Sequence, residues 1–95
     1  MPRRVSQTVI APDGTPLAWH AHQQGGERPR GPAVVLTNGI GTTENFWRHL
    51  VEGLAADHQV AHWDYRGHGE SGLSRSGRYD LEVQAEDLAR VSAAV

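Results

Sequence analysis

Two short strand-like runs, each ending in a glycine corner, constrain this chain more than any other feature. The first is Ala33-Val34-Val35-Leu36, which runs into Thr37-Asn38-Gly39-Ile40-Gly41. The second is His62-Trp63-Asp64-Tyr65, which runs into Arg66-Gly67-His68-Gly69-Glu70-Ser71. A β-branched run without alternation suits a strand covered on both faces, as in a parallel sheet. A helical pattern follows each corner. Strand, helix and strand joined by short links form a right-handed parallel crossover. The fold class is therefore α/β.

The flanking segments fit that class. Val5–Ile10 and Leu17–Gln23 read as a β-hairpin about the turn Ala11-Pro12-Asp13-Gly14-Thr15, where proline fixes φ and Asp-Gly supplies a tight corner. Gln24–Pro32 is glycine, proline and charge, hence a surface loop. Phe46, Trp47, Leu50, Val51, Leu54 and Ala55 form one apolar stripe at helical period. Thr42 or Thr43 is placed to cap that helix, Glu44 suits its dipole, and Asp57 ends it. Gln59–Tyr65 reads as the next strand. After a loop from Gly67 to Arg78, Asp80 caps a last helix with Leu81, Ala85, Leu88 and Val95 on one face. Glu86 and Arg90 make an i,i+4 pair on the other.

Composition excludes several classes. The chain has 95 residues, room for one small domain, and is 38% hydrophobic, lean for a closed core. Net charge is −2, and the arginines, Arg3, Arg4, Arg28 and Arg30 among them, are scattered; nothing calls for nucleic acid or an anionic membrane. No cysteine is present, which removes disulfides, thiolate nucleophiles and cysteine-based zinc sites. The N-terminus has positive charge but no apolar run behind it, and no segment approaches the ~20 apolar residues of a membrane span. A cytoplasmic location is the expectation.

The corners carry the chemistry. A strand that ends in glycines exposes backbone N–H groups, which can stabilise an oxyanion; a plain strand-to-helix turn would have the same residues. Gly39-Ile40-Gly41 also opens like a dinucleotide fingerprint, but Glu44 stands where the third glycine belongs and would repel phosphate. Ser71 and Ser74 each sit in a near-match to Gly-x-Ser-x-Gly, but neither has the final glycine. His20 and His22 share a strand face without an evident third ligand. His58 and His62 stand four apart, ~13 Å along a strand. No metal is expected, and these histidines read as solvated surface groups.

The order and wording of the two corners resemble the α/β-hydrolase family, in its esterase, lactonase and haloperoxidase-like branch. The resemblance implies residues 1–95 as a partial domain: strands 1–4 and the first two helices, with no second domain. It implies that the amide of Ile40 is half of an oxyanion hole within Asn38, Gly39, Ile40 and Gly41. Asn38 stands where the family more often has histidine. It implies that Asp64, Arg66, Gly67, His68, Gly69 and Ser71 form an architectural corner, so that His68 is not the catalytic histidine. Trp47 is a candidate pocket wall. The family's nucleophile, acid and histidine follow later in the chain, so no catalytic residue is assigned here and no cofactor is expected. The expected activity is hydrolysis of a small ester, lactone or similar substrate by a longer protein. The alternative is an inactive remnant or an interaction module. In the family the third strand lies between the fourth and a later fifth. Ala33–Leu36 would then be an open apolar edge in this chain alone, suited to self-association, and the lone chain would be marginally stable.

Overall fold

The computed structural model describes residues 3–23, 31–37 and 47–95. Strands β1 (Arg3–Ile10) and β2 (Pro16–Gln23) form an antiparallel hairpin with Val5 opposite Ala21 and Ile10 opposite Pro16. Its turn is closed by the Gly14 amide on the Ala11 carbonyl at 2.9 Å and by the Thr15 amide on Asp13 Oδ1 at 3.0 Å. Strand β3 (Val34–Thr37), helix α1 (Arg48–Leu54), strand β4 (Val60–Trp63) and helix α2 (Leu81–Ala94) follow. The sheet order is β1-β2-β4-β3, with β4 antiparallel to β2 and parallel to β3. Among the described residues, β3 is one edge, with β1 the other, and pairs with β4 alone.

Strand β4 is buried along its whole length. Successive side chains point to opposite faces, so the strand feeds two layers. Ala61 and Trp63 join Leu17, Trp19 and Ala21 of β2 beneath Val91 of α2. Val60 joins Leu36 of β3 beneath Val51 of α1 and its C-cap residue Ala55. The expected α/β architecture is present, and the crossover from β3 to β4 is parallel as the pattern required.

Three expectations are corrected. The buried positions of α2 are Val83, Asp87 and Val91, spaced by four, with Leu88 and Val95 packed at the margin. Leu81 is 83% exposed and Ala85 is also exposed. The stripe was misread because its middle member is a charged residue, buried by an ion pair. Asp80 does cap α2, accepting from the Val83 amide at 3.3 Å. In α1, Leu50 of the expected stripe is exposed, and Trp47 occupies the N-cap position without a side-chain cap bond. Thr42, Thr43 and Glu44, the expected cap and dipole residues, lie outside the described residues. Finally, His20, His22 and His62 are buried, not solvated, because the strand register brings them together.

Candidate functional site

The corner that leaves β4 is built from backbone turns and one carboxylate. The amide of His68 donates to the Tyr65 carbonyl, and that of Ser71 to the His68 carbonyl, at 2.9 and 3.0 Å. Gly69 adopts φ +51°, and a Cβ there would lie 2.5 Å from Asp64 Cγ. A side chain is thus excluded by both backbone preference and space. Asp64 Oδ2 accepts from the Glu70 amide at 3.1 Å and from His20 Nε2 at 3.0 Å. Burial works to raise the Asp64 carboxyl, but the bonds from His20 and the Glu70 amide outweigh it and hold the group below the usual carboxylate range. Ser71 Oγ donates to the Asp64 carbonyl at 2.6 Å and accepts from the Ala18 amide at 2.8 Å. Both its roles are filled within the corner.

Arg66 ties that corner to the rest of the molecule. Its guanidinium is 1% exposed and forms a two-pronged pair with Asp87, Nε to Oδ2 at 2.7 Å and Nη2 to Oδ1 at 2.8 Å. Nη1 reaches Asp13 Oδ2 at 2.7 Å and Ser74 Oγ at 3.0 Å. Planar guanidinium and carboxylate groups match in this geometry. Asp87, then Asp13, raise the Arg66 pKa still further above its ordinary value. Asp13 is held below the carboxylate range, chiefly by Thr15, with Arg66 and Ser76 adding to it. One side chain therefore joins the β4 corner, the hairpin turn and helix α2. His68 Nδ1 faces the Arg66 carbonyl at 3.1 Å.

On the α1 face, next to the apolar layer, lies a stack of imidazoles. His20 stands directly opposite His62 in the β2–β4 register, with ring centroids 4.5 Å apart, and His22 stacks on His62 at 4.9 Å. His22 Nε2 and His62 Nδ1 share a 2.7 Å hydrogen bond. Burial first, then electrostatic interaction with the neighbouring imidazoles of His20 and His22, push His62 down to about 3, so it is neutral at physiological pH. His20 Nδ1 meets Ser6 Oγ at 3.0 Å and Arg4 Nη2 at 3.1 Å. Ser6, His20 and Asp64 therefore form a chain with the connectivity of a hydrolytic relay. Arg4 is a donor without acceptor capacity, so its guanidinium occupies the Nδ1 lone pair that a base would need. The same contact assigns the His20 proton to Nε2, facing Asp64.

The placement of the sequence-selected residues follows. Asp64, Arg66, Gly67, His68, Gly69 and Ser71 meet in one corner. Trp47 packs half-buried against the layer of Leu36, Val51 and Val60. Asn38, Gly39, Ile40 and Gly41 lie outside the described residues. The register sets Thr37 beside Trp63, and Trp63 Nε1 donates to Thr37 Oγ1 at 3.0 Å. Strands β3 and β4 therefore end side by side at the carboxyl end of the sheet, where open α/β sheets bind ligands. Sequence reasoning missed Asp87 and Asp13 as partners of Arg66, and missed the histidine cluster. The i,i+2 pairs His20/His22 and His62/Asp64, each on one strand face, were the available signal for the cluster.

Comparison with known proteins gives the fold a family. Residues 32–95 match the family model described as alpha/beta hydrolase fold. A protein of Azorhizobium caulinodans named "Putative carbamate hydrolase RutD" is 43% identical over 61 residues, covering 64% of this chain and 23% of that protein. The 3-oxoadipate enol-lactonase 1 of Acinetobacter baylyi is 40% identical over 40 residues, covering 42% of this chain and 15% of the lactonase. Among solved structures, an alpha/beta hydrolase from Sphaerobacter thermophilus superposes with a TM-score of 0.70 at 35% identity, covering 93% of this chain and 31% of that one. The chain thus spans a quarter or less of the length of these curated relatives. With the matched segment holding both glycine corners, the chain belongs to the α/β-hydrolase fold family.

Proposed function

We propose that this chain supplies the oxyanion-hole side of a hydrolase acting on a small ester, lactone or carbamate through a covalent enzyme intermediate. The observation that carries this reading is the register of Thr37 with Trp63, which ends β3 and β4 side by side at one end of the sheet. In this reading the Ile40 amide binds the developing oxyanion, within the loop of Asn38, Gly39, Ile40 and Gly41. The Asp64–Ser71 corner braces that end of the sheet, and Trp47 walls the pocket. The nucleophile, acid and histidine belong to the longer protein. The lactonase and RutD similarities motivate the substrate classes.

The test is steady-state hydrolysis of aryl esters and lactones by the intact protein and its Ile40→Pro variant, which lacks that one N–H. Loss of one oxyanion donor costs about 10²–10³ in kcat. Ile40→Ala keeps the amide and retains kcat within a few-fold. Full activity in Ile40→Pro, with a native circular dichroism spectrum, refutes the assignment. A second reading, an interaction module that self-associates through the β3 edge, is favoured by the pairing of β3 with β4 alone among the described residues. It requires an intact protein that dimerises and hydrolyses none of these substrates.

A further inference from the structure

We propose that the imidazole and carboxylate cluster between β1, β2 and β4 is a zinc-class metal site, with His20, His62, Asp64 and Glu70 as ligands. The register builds it. His20 faces His62 across the strands, and Asp64 lies two residues beyond His62 on the same face. Donor atoms of His20, His62 and Asp64 all lie within 4.8 Å of one another, and Glu70, outside that set, reaches it by a swing of its exposed side chain. His20 Nε2 is 3.0 Å from Asp64 Oδ2 and 3.3 Å from Glu70 Oε2. Metal–ligand bonds of about 2.0–2.2 Å place neighbouring tetrahedral donors about 3.3–3.5 Å apart. The His20–Glu70 contact already matches that spacing, the His20–Asp64 contact is a few tenths of an ångström shorter, and His62 closes the set by a side-chain shift.

The surroundings are those a bound ion uses. A ligating histidine donates its other ring N–H to an acceptor, which fixes its orientation. His62 Nδ1 meets His22 Nε2 at 2.7 Å, which leaves Nε2 as the nitrogen not engaged by His22. His20 Nδ1 meets Ser6 Oγ at 3.0 Å. When Nε2 binds the ion, the ring takes its other tautomer, Nδ1–H donates to that hydroxyl, and Arg4 Nη2, 3.1 Å from Nδ1, withdraws. Two imidazoles and two carboxylates suit zinc better than magnesium or calcium. His20 and His62 are 0% and 1% exposed, whereas Glu70 is 59% exposed at its side chain, which gives the ion an entrance. Four protein ligands make a closed site, hence a structural ion that staples β2 to the β4 corner and not a catalytic one.

Arg4 opposes the ion. Its Nη2 lies 3.0 Å from Glu70 Oε2 and 3.5 Å from His20 Nε2, so guanidinium and metal compete for the same donors. This gives a test that a merely structural polar cluster does not pass. Zinc uptake by the chelator-stripped intact protein is measured by equilibrium dialysis at neutral pH, for wild type, Glu70→Gln and Arg4→Gln. Both substituted residues are exposed, so the fold tolerates the changes. One zinc per chain is expected, held more weakly in Glu70→Gln and more tightly in Arg4→Gln. A ratio of dissociation constants, Glu70→Gln over Arg4→Gln, of about tenfold or more supports the site. A smaller ratio, or no stoichiometric uptake by the wild type, overturns it.

Discussion

Removing the Asp87 carboxylate isolates what the Arg66 hub contributes. Asp87 and Arg66 are 2% and 1% exposed, so Asp87→Ala leaves a buried guanidinium with its Nε and Nη2 donors unpaired. Breaking a buried ion pair from one side costs about 3–5 kcal/mol. Two charge-assisted hydrogen bonds at about 1.5–3 kcal/mol each give about 3–6 kcal/mol, an overlapping range. Asp13 and Ser74 still hold Nη1, which places the expected loss near the lower end, about 3 kcal/mol. Against a typical domain stability of about 5–15 kcal/mol that is a large fraction. The double variant Arg66→Met with Asp87→Leu removes both charges and fills the space, so it costs less than the single change. The assay is urea unfolding of the intact protein followed by tryptophan fluorescence, since Trp19 and Trp63 sit in the layer under α2. A loss below about 1 kcal/mol in Asp87→Ala, or a double variant no better than the single, refutes the argument.

Two further outcomes follow from the same geometry. His62 titrates near 6.5 when unfolded but is pushed down to about 3 when folded. The unfolded chain therefore binds this proton first, and stability falls as pH drops from about 6.5 toward 3, on the order of 1 kcal/mol per pH unit. Urea midpoints across that window record the slope, and His62→Asn flattens it; an equal slope in both proteins contradicts the burial argument. Gly69→Ala meets both a left-handed backbone and a Cβ 2.5 Å from Asp64 Cγ, whereas Gly77→Ala meets only the backbone, φ +80° with nothing within 4 Å. Backbone strain costs about 1–2 kcal/mol at each position, so Gly69→Ala destabilises more; equal losses in a thermal melt rule out the clash.

The fold was legible because its signals are local. The Asp13-Gly14 turn, the unalternated apolar run before Asn38 and the helical stripe before Asp57 each report a single element, and the two glycine corners order them. What escaped was whatever depends on pairing across the sheet. Asp87 drew no assignment on the helix, since nothing nearby in sequence shows that a buried guanidinium awaits it 21 residues back. The α2 face was therefore rotated, with Leu81 and Ala85 in place of Val83 and Asp87. His20 and His62 were judged apart because each was weighed along its own strand. Only the register, which sets them opposite each other with Asp64 beside them, makes them one cluster. The corner residues Asp64 to Ser71 were legible as a group, because glycine spacing and a short loop keep them together.

The most direct test of the account is a crystal structure of the intact protein after inactivation by a phosphonate ester. The phosphonyl oxygen stands where the oxyanion of the reaction would form. The account predicts a covalent adduct with that oxygen about 2.7–3.1 Å from the Ile40 amide nitrogen. An adduct whose oxygen is held by other donors, with Ile40 turned away, would contradict it, as would a protein that forms no adduct at all.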